Sequence, residues 1–115
     1  SNKLTEADAL IFVTPEYNGS LPGSFKNSLD FFRSEFKRKP MGSVTVSSGP
    51  FGGINAYHQL LFWMSYVGGI PSPTKLLVSD VNNAFDECGV PTERLQRNGD
   101  GFLDDLIWLT EKVSS

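Results

Sequence analysis

The sequence predicts an α/β domain: a partial, doubly wound parallel sheet in which three strands alternate with helices over residues 1–115. Two observations carry this. Short apolar or β-branched runs alternate with helical patterns in the order β-α-β-α-β-α, and strands separated by helices pair in parallel through right-handed crossovers. The first two strands each empty into a glycine- or proline-bearing loop that opens a helix. In open α/β sheets that is where ligands bind, outside the carboxyl ends of the strands.

Taken in order, Lys3 to Asp8 reads as a helix tail or linker. Ala9 to Thr14 is the first strand, an apolar run typical of a buried parallel strand. Thr14 to Gly23 is a polar loop broken by Pro15 and Pro22 and by Gly19 and Gly23. The pattern then predicts a helix over Gly23 to Glu35, with Ser24 as N-cap and Phe25, Leu29 and Phe32 on one face. Its basic end, Arg33, Lys37, Arg38 and Lys39, suits a helix carboxyl terminus. Pro40-Met41-Gly42 reads as a break, and Ser43 to Ser48 as a second, β-branched strand.

Gly49-Pro50-Phe51-Gly52-Gly53 is a second glycine-rich loop. The helix that follows, Ile54 to Val67, is apolar at nearly every position, so it is buried on more than one side, in a core or a subunit interface. Gly68-Gly69 ends it. Ile70 to Pro73 leads to a third strand, Lys75 to Ser79. Asn82 to Glu87 suggests a helical turn, Thr92 to Gly101 an exposed polar segment, and Phe102 to Lys112 a last amphipathic helix.

Composition removes several function classes. Lys+Arg 10 against Asp+Glu 13, a net charge of −3, argues against nucleic acid as the main partner. No run reaches the ~18 apolar residues of a membrane span. Cys88 is the single cysteine, so no internal disulfide forms, and with a polar N-terminus the expectation is a cytoplasmic protein. No His/Cys/Asp cluster has metal spacing, no catalytic dyad or triad is visible, and Cys88 lacks a neighbouring base. His58, alone in an apolar helix, reads as a packing residue.

The residues Thr14-Pro15-Glu16-Tyr17-Asn18-Gly19-Ser20-Leu21-Pro22-Gly23, followed by Lys26, Asn27 and Asp30, resemble the signature of the NAD(P)H-dependent FMN reductase family, which has a flavodoxin-like fold. Phe25 stands where that family usually has Leu. The strand, Gly-Gly loop and long helix from Val44 to Leu60 match its second feature. The resemblance implies that this chain is the carboxyl-terminal portion of a single such domain. The family's initial strand and its Ser/Arg-rich phosphate loop have no counterpart here, and a complete domain needs roughly 150 or more residues.

The resemblance further implies FMN as cofactor and NAD(P)H as co-substrate. A small-molecule acceptor would take the electrons: a quinone, azo compound, metal ion or free flavin. Pro15, Glu16, Tyr17 and Asn18 would border the isoalloxazine ring, and Ser48, Gly49, Gly52 and Gly53 would form the second wall, where glycine permits close approach to a planar ligand. Tyr17 would offer a flat apolar surface. Glu16 would order the loop or pair with a base, or else be a solvated or capping acid, and Lys26, a cation in a first helical turn, calls for a partner such as Glu16, Asp30 or an anion. No side chain need act as acid or base, since the cofactor does the chemistry. Without its usual neighbour the first strand becomes an apolar edge, which predicts a homodimer or homotetramer. The alternative is a non-catalytic, truncated module acting through self-assembly or a partner chain.

Overall fold

The computed structural model describes residues 2–115. Three parallel strand positions run in the middle, with helices on both faces. A short α1 (Asn2–Glu6) precedes β1 (Leu10–Pro15). Then come α2 (Gly23–Leu29), β2 (Pro40–Val46) and α3 (Ile54–Tyr66). The short β3 (Ile70–Pro71) and β4 (Leu76–Val78) lead to α4 (Glu93–Ser114). The strand β2 is central: β1 pairs along one side in the register Leu10↔Met41 to Pro15↔Val46, and β3 and β4 share the other.

Alternation along β2 sorts the two layers. On one face Ser43 Oγ donates to Met64 Sδ of α3, and Met41 belongs to the same buried cluster. That cluster joins Leu29, Phe36, Leu60, Trp63, Met64 and Val67. Its centre is aromatic: Trp63 meets Phe36 and Phe12 edge to face, with centroids 4.8 and 5.3 Å apart. On the other face lies Gly42. A Cβ there would come within 2.6 Å of Phe102 Cζ, so only glycine lets α4 approach this closely.

The elements depart from the sequence reading at several boundaries. The second strand begins at Pro40, not Ser43; proline is harmless there because the first residue of a strand can forgo its N–H. The third strand lies where expected, at Leu76–Val78, but the lead-in before it adds a two-residue strand of its own, Ile70–Pro71. Between them the chain leaves the ladder after Ser72, whose N–H still bonds Met41 O, and Thr74 Oγ1 donates to Asp105 of α4. The first long helix stops at Leu29, and Ser24 is not its N-cap: Pro22 holds that place with no side-chain bond. After a break at Arg33 a 3₁₀ turn over Ser34–Phe36 drives Phe36 into the core.

The last helix starts nine residues earlier than expected, at Glu93. Thr92 Oγ1 accepts from Leu95 N at 3.2 Å and caps it. The expected turn at Asn82–Glu87 is a 3₁₀ turn at Val81–Asn83. The helix α3 ends as expected, in a Schellman turn: Gly69 N donates to Met64 O and Gly68 N to Ser65 O, with Gly68 at φ 82.

Among the described residues β1 has one strand partner, β2, so its outer edge is free. Phe12 points to Trp63, whereas Ile11 and Val13 lie on the α4 side and stay exposed, Val13 at 61%. The outer face of α4, with Leu103, Ile107 and Trp108, is also exposed. No helix among the described residues is long and apolar enough to cross a membrane.

Candidate functional site

Of the two loops at the carboxyl ends of β1 and β2, the first is held by α3 and the second leads into it. In the first loop, Tyr17 and Ser20 exchange both backbone hydrogen bonds, at 2.8 and 3.0 Å, around Asn18-Gly19. Both turn residues have positive φ, 53 and 76, which is the type I′ geometry that Asn-Gly favours. Beyond the turn, Gln59 Oε1 of α3 accepts from Ser20 Oγ and from Leu21 N, each at 2.8 Å. Before it, Glu16 Oε1 accepts from Asn55 N at 2.9 Å and Ala56 N at 3.1 Å. Those are free N–H groups of the first turn of α3, whose own N-cap residue, Gly53, makes no side-chain bond. Glu16 is therefore a capping acid, contributed from another loop.

The second loop is built on hydroxyls. Thr45 Oγ1 donates to Gly52 O at 2.7 Å, and Ser47 Oγ accepts from Gly52 N at 2.9 Å while donating to Gly49 O at 3.0 Å. Asp80 N also donates to Gly49 O at 2.8 Å, and Val81 N donates to Ser47 O at 3.0 Å. Gly52 and Gly53 are buried with φ of 64 and 78. Added Cβ atoms would stand 2.7 Å from Leu77 and 2.9 Å from Thr45, so these glycines are required by the protein's own packing.

What the loops leave open faces outward. The amides of Asn18, Gly19, Ser48 and Gly49 have no hydrogen-bond partner among the described residues. Pro15, Tyr17, Asn18, Ser48 and Phe51 are exposed, and Gly49 is half-buried. Free donors beside exposed rings suit the polar edge and the face of a planar heterocycle, so these residues fit the ring end of FMN. Neither loop carries a Lys or Arg to offset the charge of its phosphate.

The remaining candidates lie elsewhere. Lys26 pairs with Asp30, Nζ to Oδ1 at 2.7 Å, one of the partners its position called for. Arg33 lies over the Tyr66 ring at 5.3 Å, and Lys39 Nζ ties down α1 through Thr5 O and Ala7 O, so these two members of the basic cluster serve structure. His58 is exposed beside Tyr57, not packed in a core. Cys88 is exposed in a turn, its N–H bonded to Asp86. The sequence reading missed Thr45, Ser47, Gln59 and Asp80, which hold the loops. The signal available was Thr and Ser alternating along a strand just before a glycine loop.

Along α3 the exposed positions Asn55, His58, Gln59, Phe62, Ser65 and Tyr66 form one stripe, and the helix has no Asp, Glu, Lys or Arg. His58, Gln59, Phe62 and Tyr66 of this stripe, with Leu21 and Gly23, line a groove of about 720 Å³ against α2, and Phe62 is 75% exposed.

Residues 1–83 match the family model of NADPH-dependent FMN reductases. A quinone reductase of Pseudomonas putida is 41% identical over 89% of this chain and 58% of its own. An FMN-dependent NADPH-azoreductase of Staphylococcus aureus is 36% identical over 91% of this chain and 57% of its own. Among solved structures, the flavoenzyme NAD(P)H:(acceptor) oxidoreductase FerB of Paracoccus denitrificans superposes with a TM-score of 0.85 at 27% identity, covering 96% of this chain and 65% of its own. The chain spans just over half the length of the two curated relatives.

Proposed function

The chain belongs to the NADPH-dependent FMN reductase family, and from that membership we propose that it forms the ring-binding part of an FMN-dependent oxidoreductase. The observation that supports this is the pair of loops at adjacent strand ends, the first fastened to α3 through Glu16 and Gln59 and the second by the hydroxyls of Thr45 and Ser47, with four free amides and the rings of Tyr17 and Phe51 outward. When bound, FMN supplies the redox chemistry, accepting a hydride from NAD(P)H and yielding electrons to a quinone, azo compound, metal ion or free flavin.

The chain's own residues position and tune. Pro15, Glu16, Tyr17 and Asn18 form one wall, and Ser48 and Gly49 face the ligand on the other. Gly52 and Gly53 act from behind, setting the course of that second loop. Amide donors fixed by the turn and by the hydroxyl bonds of Ser47 and Thr45 favour negative charge on a ring oxygen without reorganising. No side chain transfers a proton. The uncharged stripe on α3 supports assembly as a homodimer or homotetramer, and the lone free thiol of Cys88 supports a cytoplasmic setting.

The test is titration of purified protein into FMN with flavin fluorescence as readout, followed by NADPH oxidation with a benzoquinone or azo dye. Quenching and acceptor-dependent oxidation are expected. A protein that leaves FMN fluorescence unchanged overturns the reading for this chain. One observation favours the second reading, a self-assembling module without catalysis: the free edge of β1 with Ile11 and Val13 exposed. It predicts oligomers by light scattering in the absence of any flavin binding.

A further inference from the structure

We infer that the polar cavity at the carboxyl end of β4 is a ribose-phosphate subsite for the dinucleotide donor, an inference that rests on the reductase reading above. The cavity measures about 170 Å³. Pockets that enclose a whole drug-sized ligand measure roughly 300–1,000 Å³, so this one suits a single group of a larger ligand. Ser79 and Asp80 come to it from the end of β4, Asn83 from the 3₁₀ turn, and Arg94 and Asn98 from the first turns of α4.

Two of these residues offer different chemistry. The Asp80 carboxylate accepts from Asn83 Nδ2 at 3.0 and 3.2 Å. A carboxylate has about four acceptor positions, so it can still take both hydroxyls of a vicinal diol. Arg94 has neither an ion pair nor a hydrogen-bonded side-chain partner among the described residues. Its guanidinium fork matches phosphate oxygens. An acid and a base that line one small cavity without pairing provide separate anchors, one for sugar hydroxyls and one for phosphate. Asn98, one turn along α4 from Arg94, lies on the same helix face and can donate or accept.

Position links the cavity to the reaction. Asp80 N bonds Gly49 O and Val81 N bonds Ser47 O, so the cavity wall and the second ring-binding loop share backbone. A dinucleotide whose nicotinamide lies over a flavin held by that loop has this cavity as the adjoining polar recess.

The test is isothermal titration calorimetry with ADP, which carries diol and phosphate but no nicotinamide, with and without saturating FMN. ADP binding is expected, unaffected by FMN, and 2′-deoxy-ADP is expected to bind several-fold more weakly. Arg94→Gln is expected to weaken ADP about tenfold, the size of one charge-assisted contact. It should also raise KM for NADPH while leaving kcat unchanged. Asp80→Asn tolerates the left-handed backbone and is expected to shrink the ADP to 2′-deoxy-ADP ratio toward one. If Arg94→Gln misfolds, Arg94→Lys serves, with intermediate affinity expected because charge is kept and the fork lost.

Wild-type protein that binds FMN but not ADP, variants that bind ADP as tightly as wild type, or displacement of ADP by FMN each overturn the inference. Displacement would assign the recess to the flavin's own ribityl phosphate. Flavin quenching in the same samples separates the two ideas, since its absence defeats the reductase reading whatever ADP does.

Discussion

With no side chain of its own to cap it, the N-terminus of α3 takes the Glu16 carboxylate, whose Oε1 lies 2.9 and 3.1 Å from two amides. Removing that cap by Glu16→Ala is expected to cost about 1–2 kcal/mol, read as a lower urea midpoint, with Glu16→Gln between the two. The motif containing Glu16 was plain in the sequence, but its partners were not, because Asn55 and Ala56 lie 39 and 40 positions away. The same distance hid Gln59. The glycines of the second loop were legible as glycines for a reason other than the one expected: they serve Leu77 and Thr45 contacts and positive φ. Glu35 gives a pH effect. Hydrogen bonds from its own backbone N–H, then from Arg33 N–H and the Ser34 hydroxyl, hold its pKa below the ordinary carboxylate value. A depressed carboxylate adds stability that is present above the unfolded-state pKa and lost as pH falls through the folded one. A small loss on acidification below the usual glutamate range is therefore expected, and Glu35→Gln should remove that part of the pH profile in thermal melts.

At the scale of elements, α4 contains its own experiment. Gly99 and Gly101 sit mid-helix, with open space where a Cβ would go and no positive φ. Each change to alanine is expected to stabilise by up to about 1 kcal/mol, seen as a higher Tm. The contrasting change, Gly42→Ala in β2, meets Phe102 Cζ at 2.6 Å in a buried ring and is expected to destabilise by about 1–3 kcal/mol. These glycines also show where sequence reading stops. Two glycines beside Asn98 and Asp100 read as an exposed segment, yet the Thr92 cap and the burial of Phe102 and Leu106 on the sheet carry the helix through them. Pro40 read as a break because a strand's first residue and a turn residue look alike in one dimension. The α3 helix was legible almost to the residue, since its largely apolar, uncharged run and Gly68-Gly69 stop agree.

For the molecule as a whole, the alternation of strands with helices followed from pattern, whereas the exposed edge of β1 followed from the resemblance. An apolar edge strand is a template for pairing. Val13→Lys places a charge on that exposed strand, and light scattering is expected to show less self-association than wild type, with the α3 stripe untouched. If assembly instead runs through the stripe, Phe62→Lys lowers it and Val13→Lys does not. The layered build also has an optical consequence. Trp63 is 7% exposed in the α3 layer, whereas Trp108 is 52% exposed on α4, across the sheet. Acrylamide should quench the red-shifted Trp108 emission and spare the blue-shifted Trp63 emission in the native state. The two indoles thus act as separate fluorescent reporters, one for each side of the sheet, and unfolding that begins by peeling α4 away would be visible before the aromatic centre lets in water.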